Sequence, residues 1–264
     1  MATERGGVTD DAILNGRLRL LQPRRGHRFG HDAILLAAAT PAAPGDHVIE
    51  LGSGVGAASL ALLARVPDID VTLVEIDAEL AALAADNIAR NMFTARARAV
   101  ALDVAAAPEQ FAAAGLAAGS RDLALMNPPF NTAALQPSPD ARRRKAHQAA
   151  PDTLRVWLGA AARLLRPAGI VSLIWRAEGL EIVLAGLAEA GFGAATVRPL
   201  HAAPGGRAIR ILVNAVKGSR EKPRLLPGLT LADADNRPSA QAETILRGAM
   251  PLPILSERTA GMPI

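Results

Sequence analysis

Cysteine is absent from the 264 residues. Disulfide scaffolds, zinc–thiolate sites, iron–sulfur clusters and cysteine nucleophiles are therefore excluded, and the absence fits a reducing compartment. Tyrosine is absent too, and Phe and Trp bring aromatics to only 3%. A single-strand nucleic-acid platform built on many stacked aromatic rings is not available to such a chain. Lysine occurs only at Lys145, Lys217 and Lys222, so nearly all the positive charge is arginine. Arginine is permanently charged and can grip phosphate through two parallel hydrogen bonds. No apolar run approaches bilayer length; that from Ala33 to Ala39 has seven residues. The first residues, MATERGGVTDD, are polar and acidic where a signal peptide would be apolar, so a cytoplasmic protein is expected. The five histidines show no metal-ligand spacing, and no metal is expected.

What remains is half hydrophobic and one-fifth charged, with a net charge of +4. That profile belongs to a globular chain with a sizeable core, and a basic balance permits a nucleic-acid partner. A GC-rich genome, which raises Ala and Arg together, accounts for the same bias.

Hydrophobic periodicity divides the chain into three parts. Residues 1–30 read as a polar, Arg-rich N-terminal segment. Residues 31–216 alternate short β-branched runs with longer Ala/Leu-rich helical ones. Strands are expected at 47–51, 71–75, 98–102, 122–126, 170–175, 195–200 and 208–216. Helices are expected at 31–39, 57–66, 78–91, 108–115, 152–166 and 178–190. Several strands are apolar on both faces, as in a parallel sheet covered by helices. Such alternation predicts a doubly wound, mostly parallel α/β sheet of seven strands, of the Rossmann-like kind. Only HAAPGGR joins the last two runs, which is too short for a crossover helix and makes them an antiparallel pair. Residues 217–264 turn polar and proline-rich and are expected to pack on the domain or to be partly mobile.

Two segments carry the chemistry. VIELGSGVGAASLALLAR (48–65) is a strand, a tight turn and a helix, with Gly52, Gly54 and Gly56 spaced G-x-G-x-G. Such a turn lets a ligand approach backbone and aims free helix N–H groups at it. Glu50 precedes the turn, and Glu75 ends the next strand, where a carboxylate can take two ribose hydroxyls. A nicotinamide enzyme normally shows G-x-G-x-x-G; here the third glycine comes one residue early. The second segment is Asn127-Pro128-Pro129-Phe130, directly after the fourth strand. Its prolines hold Asn127 in extended backbone at the strand end. The Asn127 side-chain oxygen and the Pro128 carbonyl can each accept an N–H bond from a planar amine, on which Phe130 can stack. An amine whose lone pair is delocalised is a poor nucleophile. Fixing it about 3 Å in line with an electrophilic methyl is catalysis by positioning and needs no general base beforehand.

On these residues the chain resembles the class I S-adenosylmethionine (SAM)-dependent methyltransferases. The glycine turn resembles their first motif and VEID (74–77) their acidic second motif. NPPF resembles the (N/D)PP(Y/F) signature of enzymes that methylate adenine N6, cytosine N4, guanine N2 or glutamine N5. GHDAILL (30–36), with Gly30, Asp32, Leu35 and Leu36, resembles the segment ahead of the first motif in bacterial transfer-RNA (adenine-N6) methyltransferases of the small-methyltransferase-domain superfamily. The resemblance implies that Glu50, Gly52, Gly54, Gly56, Glu75, Ile76, Asp103 and Asn127 bind the cofactor, with Glu75 on the ribose and Asp103 on the adenine amine. It implies Asn127, Pro128, Pro129 and Phe130 as catalytic, and tRNA as the substrate. Asp103 could equally be a strand-end turn residue, and Asp32 could line the crevice or cap its helix. Arg142, Arg143, Arg144 and Lys145 sit in an exposed-looking loop after NPPF. They either contact RNA phosphates or form a solvated charge run. Two rivals stand beside this reading: glutamine N5 methylation of a protein, and a SAM- or RNA-binding module without turnover. Oligomeric state is left open.

Overall fold

The computed structural model describes residues 7–24, 29–129, 151–248 and 250–252. Each of the seven expected strands begins within five residues of where the hydrophobic pattern places it. β3 (His47–Leu51), β4 (Asp70–Glu75), β5 (Ala97–Ala101), β6 (Arg121–Met126) and β7 (Leu165–Arg176) run parallel, and β8 (Phe192–His201) and β9 (Ala208–Lys217) form the antiparallel end. The lateral order is β8-β9-β7-β6-β3-β4-β5. Two short strands, β10 (Arg224–Leu225) and β11 (Leu229–Thr230), add parallel to the free edge of β8. The sheet thus has nine strands where seven are expected. Two-residue strands carry no periodicity, so the pattern could not announce them; they cover an edge that would otherwise expose unpaired backbone.

Helices cover both faces. Along β3, Val48 packs in one core while Ile49 and Leu51 pack in the other, the period-two alternation of a strand. The first core joins α1 (His31–Ala39) and α2 (Ala57–Arg65), through Leu35, Leu36, Leu60 and Leu62, to Leu73, Leu125 and Ile174. α3 (Ala78–Arg90) contributes Ala84 and Ile88 to the same side. The second joins α4 (Pro108–Ala113), α5 (Pro151–Leu164) and α6 (Leu180–Glu189), through Phe111, Leu158 and Val183, to Met126 and Leu173. The last helix, α7 (Ala240–Gly248), places Ile245 in the first core, and Leu252 N–H donates to Ala38 O at 2.8 Å, binding the tail to α1.

The N-terminal segment departs from the sequence expectation. It holds an antiparallel hairpin, β1 (Val8–Ile13) and β2 (Leu18–Pro23), closed through Leu14, Asn15 and Gly16, all at positive φ. Its outer edge is satisfied by side chains of α3. Asn87 Oδ1 accepts from Leu21 N at 2.7 Å, and Asn87 Nδ2 donates to Leu21 O at 2.9 Å. Asn91 makes the same pair with Arg19, one helical turn on. Two amides spaced i, i+4 thereby imitate a neighbouring strand. Asn87 Nδ2 also donates to Val55 O at 3.0 Å, inside the glycine turn, so one buried amide ties hairpin, helix and turn together. Asn87→Ala leaves a buried N–H and two carbonyls without partners. It is expected to cost ~3 kcal/mol and lower the melting temperature by roughly 6–12 °C. A shift below about 2 °C in a thermal melt contradicts the brace.

Candidate active site

The crevice follows from strand order. The chain builds β3, β4 and β5 outward in one direction and then returns to lay β6 on the other side of β3. The turns leaving β3 and β6 therefore diverge, and a cleft opens between them at the carboxyl ends of the strands. Leu51 and Met126 are register partners, so Gly52 and Asn127 leave neighbouring strands at the same level. Strands lie about 4.8 Å apart. The two segments that sequence singles out are brought to one place.

The turn after β3 is held open by backbone. Gly52, Gly54 and Gly56 all sit at positive φ (70°, 55° and 88°), which L side chains rarely adopt. A Cβ on Gly54 would meet nothing within 4 Å, so the turn is open there. At Gly52 a Cβ would collide with the Trp157 ring of α5, so that side of the turn is closed. Ser53 Oγ is buried in the turn without a hydrogen-bond partner among the described residues. The Asn127 side-chain oxygen is buried and partnerless in the same sense. A buried acceptor left unmatched costs free energy, and at the lip of a crevice it marks where a donor can be received.

Glu75 is buried and fixed by two backbone amides: Gly54 N–H donates to Oε2 at 2.7 Å and Asp77 N–H to Oε1 at 2.9 Å. A carboxylate offers about four lone-pair positions, so one on each oxygen remains for a ligand. Asp77 in turn caps α3 by accepting from Glu79 N and Leu80 N. Ile76 is clamped between these anchored acids and stays 56% exposed, an apolar surface beside the carboxylate. Asp103, just past β5 on the same edge, is exposed, and its Oδ1 accepts from Ala105 N at 2.8 Å. The strand-end turn is present at this residue.

Glu50 turns into the first core. Its Oε2 accepts from Ser59 N at 3.0 Å and from the Ser59 hydroxyl, in the first turn of α2. Asp32, at the start of α1, is engaged by Arg210 of β9, with Nε to Oδ2 at 2.9 Å. Phe130 and Arg142, Arg143, Arg144 and Lys145 lie outside the described residues. Sequence reading misses Ser53, Asn87, Trp157 and Arg210. Ser53 lies inside the glycine motif and was legible there; the other three become visible only through tertiary contacts. A separate cavity of about 440 Å³, lined by Arg17, Arg19, Arg90, Asn91 and Met92, lies at the opposite edge of the sheet. Arg19 and Arg90 are both engaged there by Asp10.

Burial pushes the Glu50 carboxyl up to about 8, against the two bonds from Ser59, which pull it down; nearby Glu75 pushes the same way as burial. An unfolded glutamate ionises near 4.5. Between those values the folded chain keeps a proton that the unfolded chain has released, so this group erodes stability as pH rises from about 4.5 to about 8. Glu50→Gln is expected to match wild type near pH 5 and to exceed its stability by a few kcal/mol near pH 8. Urea unfolding of the ligand-free protein at both pH values checks this; an equal difference at the two contradicts it.

A family profile described as the methyltransferase small domain matches residues 29–178. The chain is 30% identical over 171 residues to a curated tRNA1(Val) (adenine(37)-N6)-methyltransferase of Tolumonas auensis, covering 64% of this chain and 68% of that one. It is 28% identical over 195 residues to the protein of the same name from Phocaeicola vulgatus, covering 74% and 79%. Among solved structures it resembles one described as a predicted O-methyltransferase from Agrobacterium tumefaciens. That likeness has a TM-score of 0.71 and 25% identity, over 84% of this chain and 98% of that one. A SAM-dependent O-methyltransferase from Thermotoga maritima shares the fold, with a TM-score of 0.51, 19% identity and 75% and 68% coverage. The profile runs from the residue before α1's N-cap to the turn after β7 and takes in the glycine turn, Glu75 and the Asn-Pro-Pro segment. The chain belongs to the methyltransferase small domain family, and its cofactor is S-adenosyl-L-methionine.

Proposed function

We propose that this enzyme methylates the exocyclic N6 amine of an adenine in transfer RNA. The observation that carries the reading is the Asn127 side-chain oxygen at the end of β6, level with the glycine turn, buried and without a hydrogen-bond partner among the described residues. The relatives' names supply the nucleic acid: both curated relatives are tRNA adenine-N6 methyltransferases.

The residues fit the cofactor. Glu75 has a lone pair on each oxygen for the ribose hydroxyls, and Ile76 gives the adenine ring an apolar face. In this reading Asp103 accepts from the adenine amine, and the glycine turn with Ser53 takes the amino-acid tail. When bound, the cofactor supplies a sulfonium-activated methyl group. The chain's own contribution is to hold and orient the acceptor. The Asn127 side-chain oxygen and the Pro128 carbonyl receive the two N–H bonds of a planar amine, and Phe130 stacks on the base. Two acceptors aimed at one nitrogen draw its lone pair out of the ring toward the methyl. The proton leaves afterwards, so no buried base is required. An unpaired adenine enters such a pocket at lower unstacking cost than a paired one. We take residues 31–216 as the catalytic domain and the cytoplasm, where tRNA is found, as its location. Arg142, Arg143, Arg144 and Lys145 follow the amine pocket in sequence and suit phosphate contacts.

The test is methyl transfer to unmodified tRNA, read by mass spectrometry of the nucleosides. Wild type is expected to produce N6-methyladenosine. Asn127→Ala is expected to lose transfer by about 10²–10³-fold or more, with SAM affinity kept within a few-fold. Product appearing as a 2′-O-methyl nucleoside, or a collapse of SAM binding in the variant, overturns the role of Asn127.

A further inference from the structure

Arg176 and Arg210 stand directly opposite each other on β7 and β9. Like charges in that arrangement repel across the sheet. Each meets a carboxylate: Arg210 Nε lies 2.9 Å from Asp32, and Arg176 Nη1 lies 3.1 Å from Glu178. Both arginine side chains are only about a quarter exposed, whereas that of Glu178 is 73% exposed. Arg207, in the turn leading into β9, is exposed. Arg176, Arg207 and Arg210 thus gather at the same end of β7 and β9. A fold gains little from setting two arginines in register and then neutralising them, since partly exposed ion pairs contribute about 0–1 kcal/mol.

Their position supplies a reason. Met126 pairs with Leu173, so Arg176 ends β7 at the same carboxyl edge from which Asn127 leaves β6. Asn127 is level with Ile174, so Arg176 and its partner Arg210 stand two residues, about 7 Å, further along and one and two strands, roughly 5 and 10 Å, to the side, an offset of roughly 8 and 12 Å. That offset matches the reach from the edge of a base to its sugar-phosphate backbone. Guanidinium groups bind phosphate oxygens in bidentate fashion, and two side by side can bracket one phosphodiester. Asp32 holds Arg210 in place from α1.

We propose that Arg176, Arg207 and Arg210 form a phosphate platform that takes the RNA backbone next to the adenine being methylated; this rests on the proposed tRNA substrate. The platform fixes the strand, while Asn127 reads the amine.

The experiment uses the full chain and an unmodified tRNA transcript, with affinity measured across a salt series. Arg176→Gln/Arg207→Gln/Arg210→Gln is expected to weaken tRNA binding tenfold or more. It should also lower the slope of log affinity against log salt by about 2, since each lost phosphate contact removes roughly 0.7–0.9. SAM affinity, a readout of intact folding, stays within twofold. Should the triple variant unfold, Arg176→Gln/Arg207→Gln keeps the Asp32–Arg210 pair and must still lower the slope by about 1.5. A wild type that binds and methylates tRNA, with variants that match its slope, overturns the platform alone. A wild type that neither binds nor methylates tRNA overturns the platform together with the reading beneath it.

Discussion

The parallel register of β3 against β6 is the constraint on which the rest depends. Leu51 and Met126 are paired, and the segment leaving each strand is therefore delivered to the same height on neighbouring strands. A glycine turn and an Asn-Pro-Pro segment, far apart in the chain, become two walls of one cleft without any loop having to travel. A slip of one residue in either strand would move its apolar set to the wrong face and carry the site with it. The two cores, one on each face, enforce that register, so the precision of the site derives from burial of Val48, Leu125, Ile49 and Met126.

Two glutamates beside the same turn illustrate how backbone decides chemistry. Glu50 and Glu75 are both buried. Glu75 is met by N–H groups from two turns, one on each carboxylate oxygen. Glu50 meets one serine at the head of α2, and desolvation dominates it. The resemblance assigns both acids to the cofactor, yet the Glu50 Oε2 is bound to Ser59 at the head of α2.

Much of this was readable in advance, for a physical reason in each case. Parallel strands buried on both faces read as continuous apolar runs, and β3, α2, β4 and α3 succeed one another at the intervals that crossover units require. The antiparallel pair was legible because HAAPGGR is too short to be anything but a turn. The hairpin at 8–23 was not, because β1 (VTDDAI) is half polar, with two adjacent aspartates that break the alternation. Its signal was nonetheless present in Asn15-Gly16, the pair that two-residue turns favour. Asn87 and Asn91 look like ordinary polar positions on an amphipathic helix; only the neighbouring hairpin turns them into a surrogate strand. Arg210 and Asp32 are 178 residues apart, and no local pattern links them.

The site therefore combines legible backbone devices with side-chain partners that tertiary contact alone selects. Its central claim is spatial: the methyl donor and the Asn127 amide face one cavity. A crystal structure of the protein with bound S-adenosyl-L-methionine tests it most directly. The account predicts the ribose on Glu75 and the sulfonium methyl about 5 Å from the Asn127 side-chain oxygen, with room between for one amine. A cofactor seated elsewhere, or one whose methyl points away from Asn127, contradicts it.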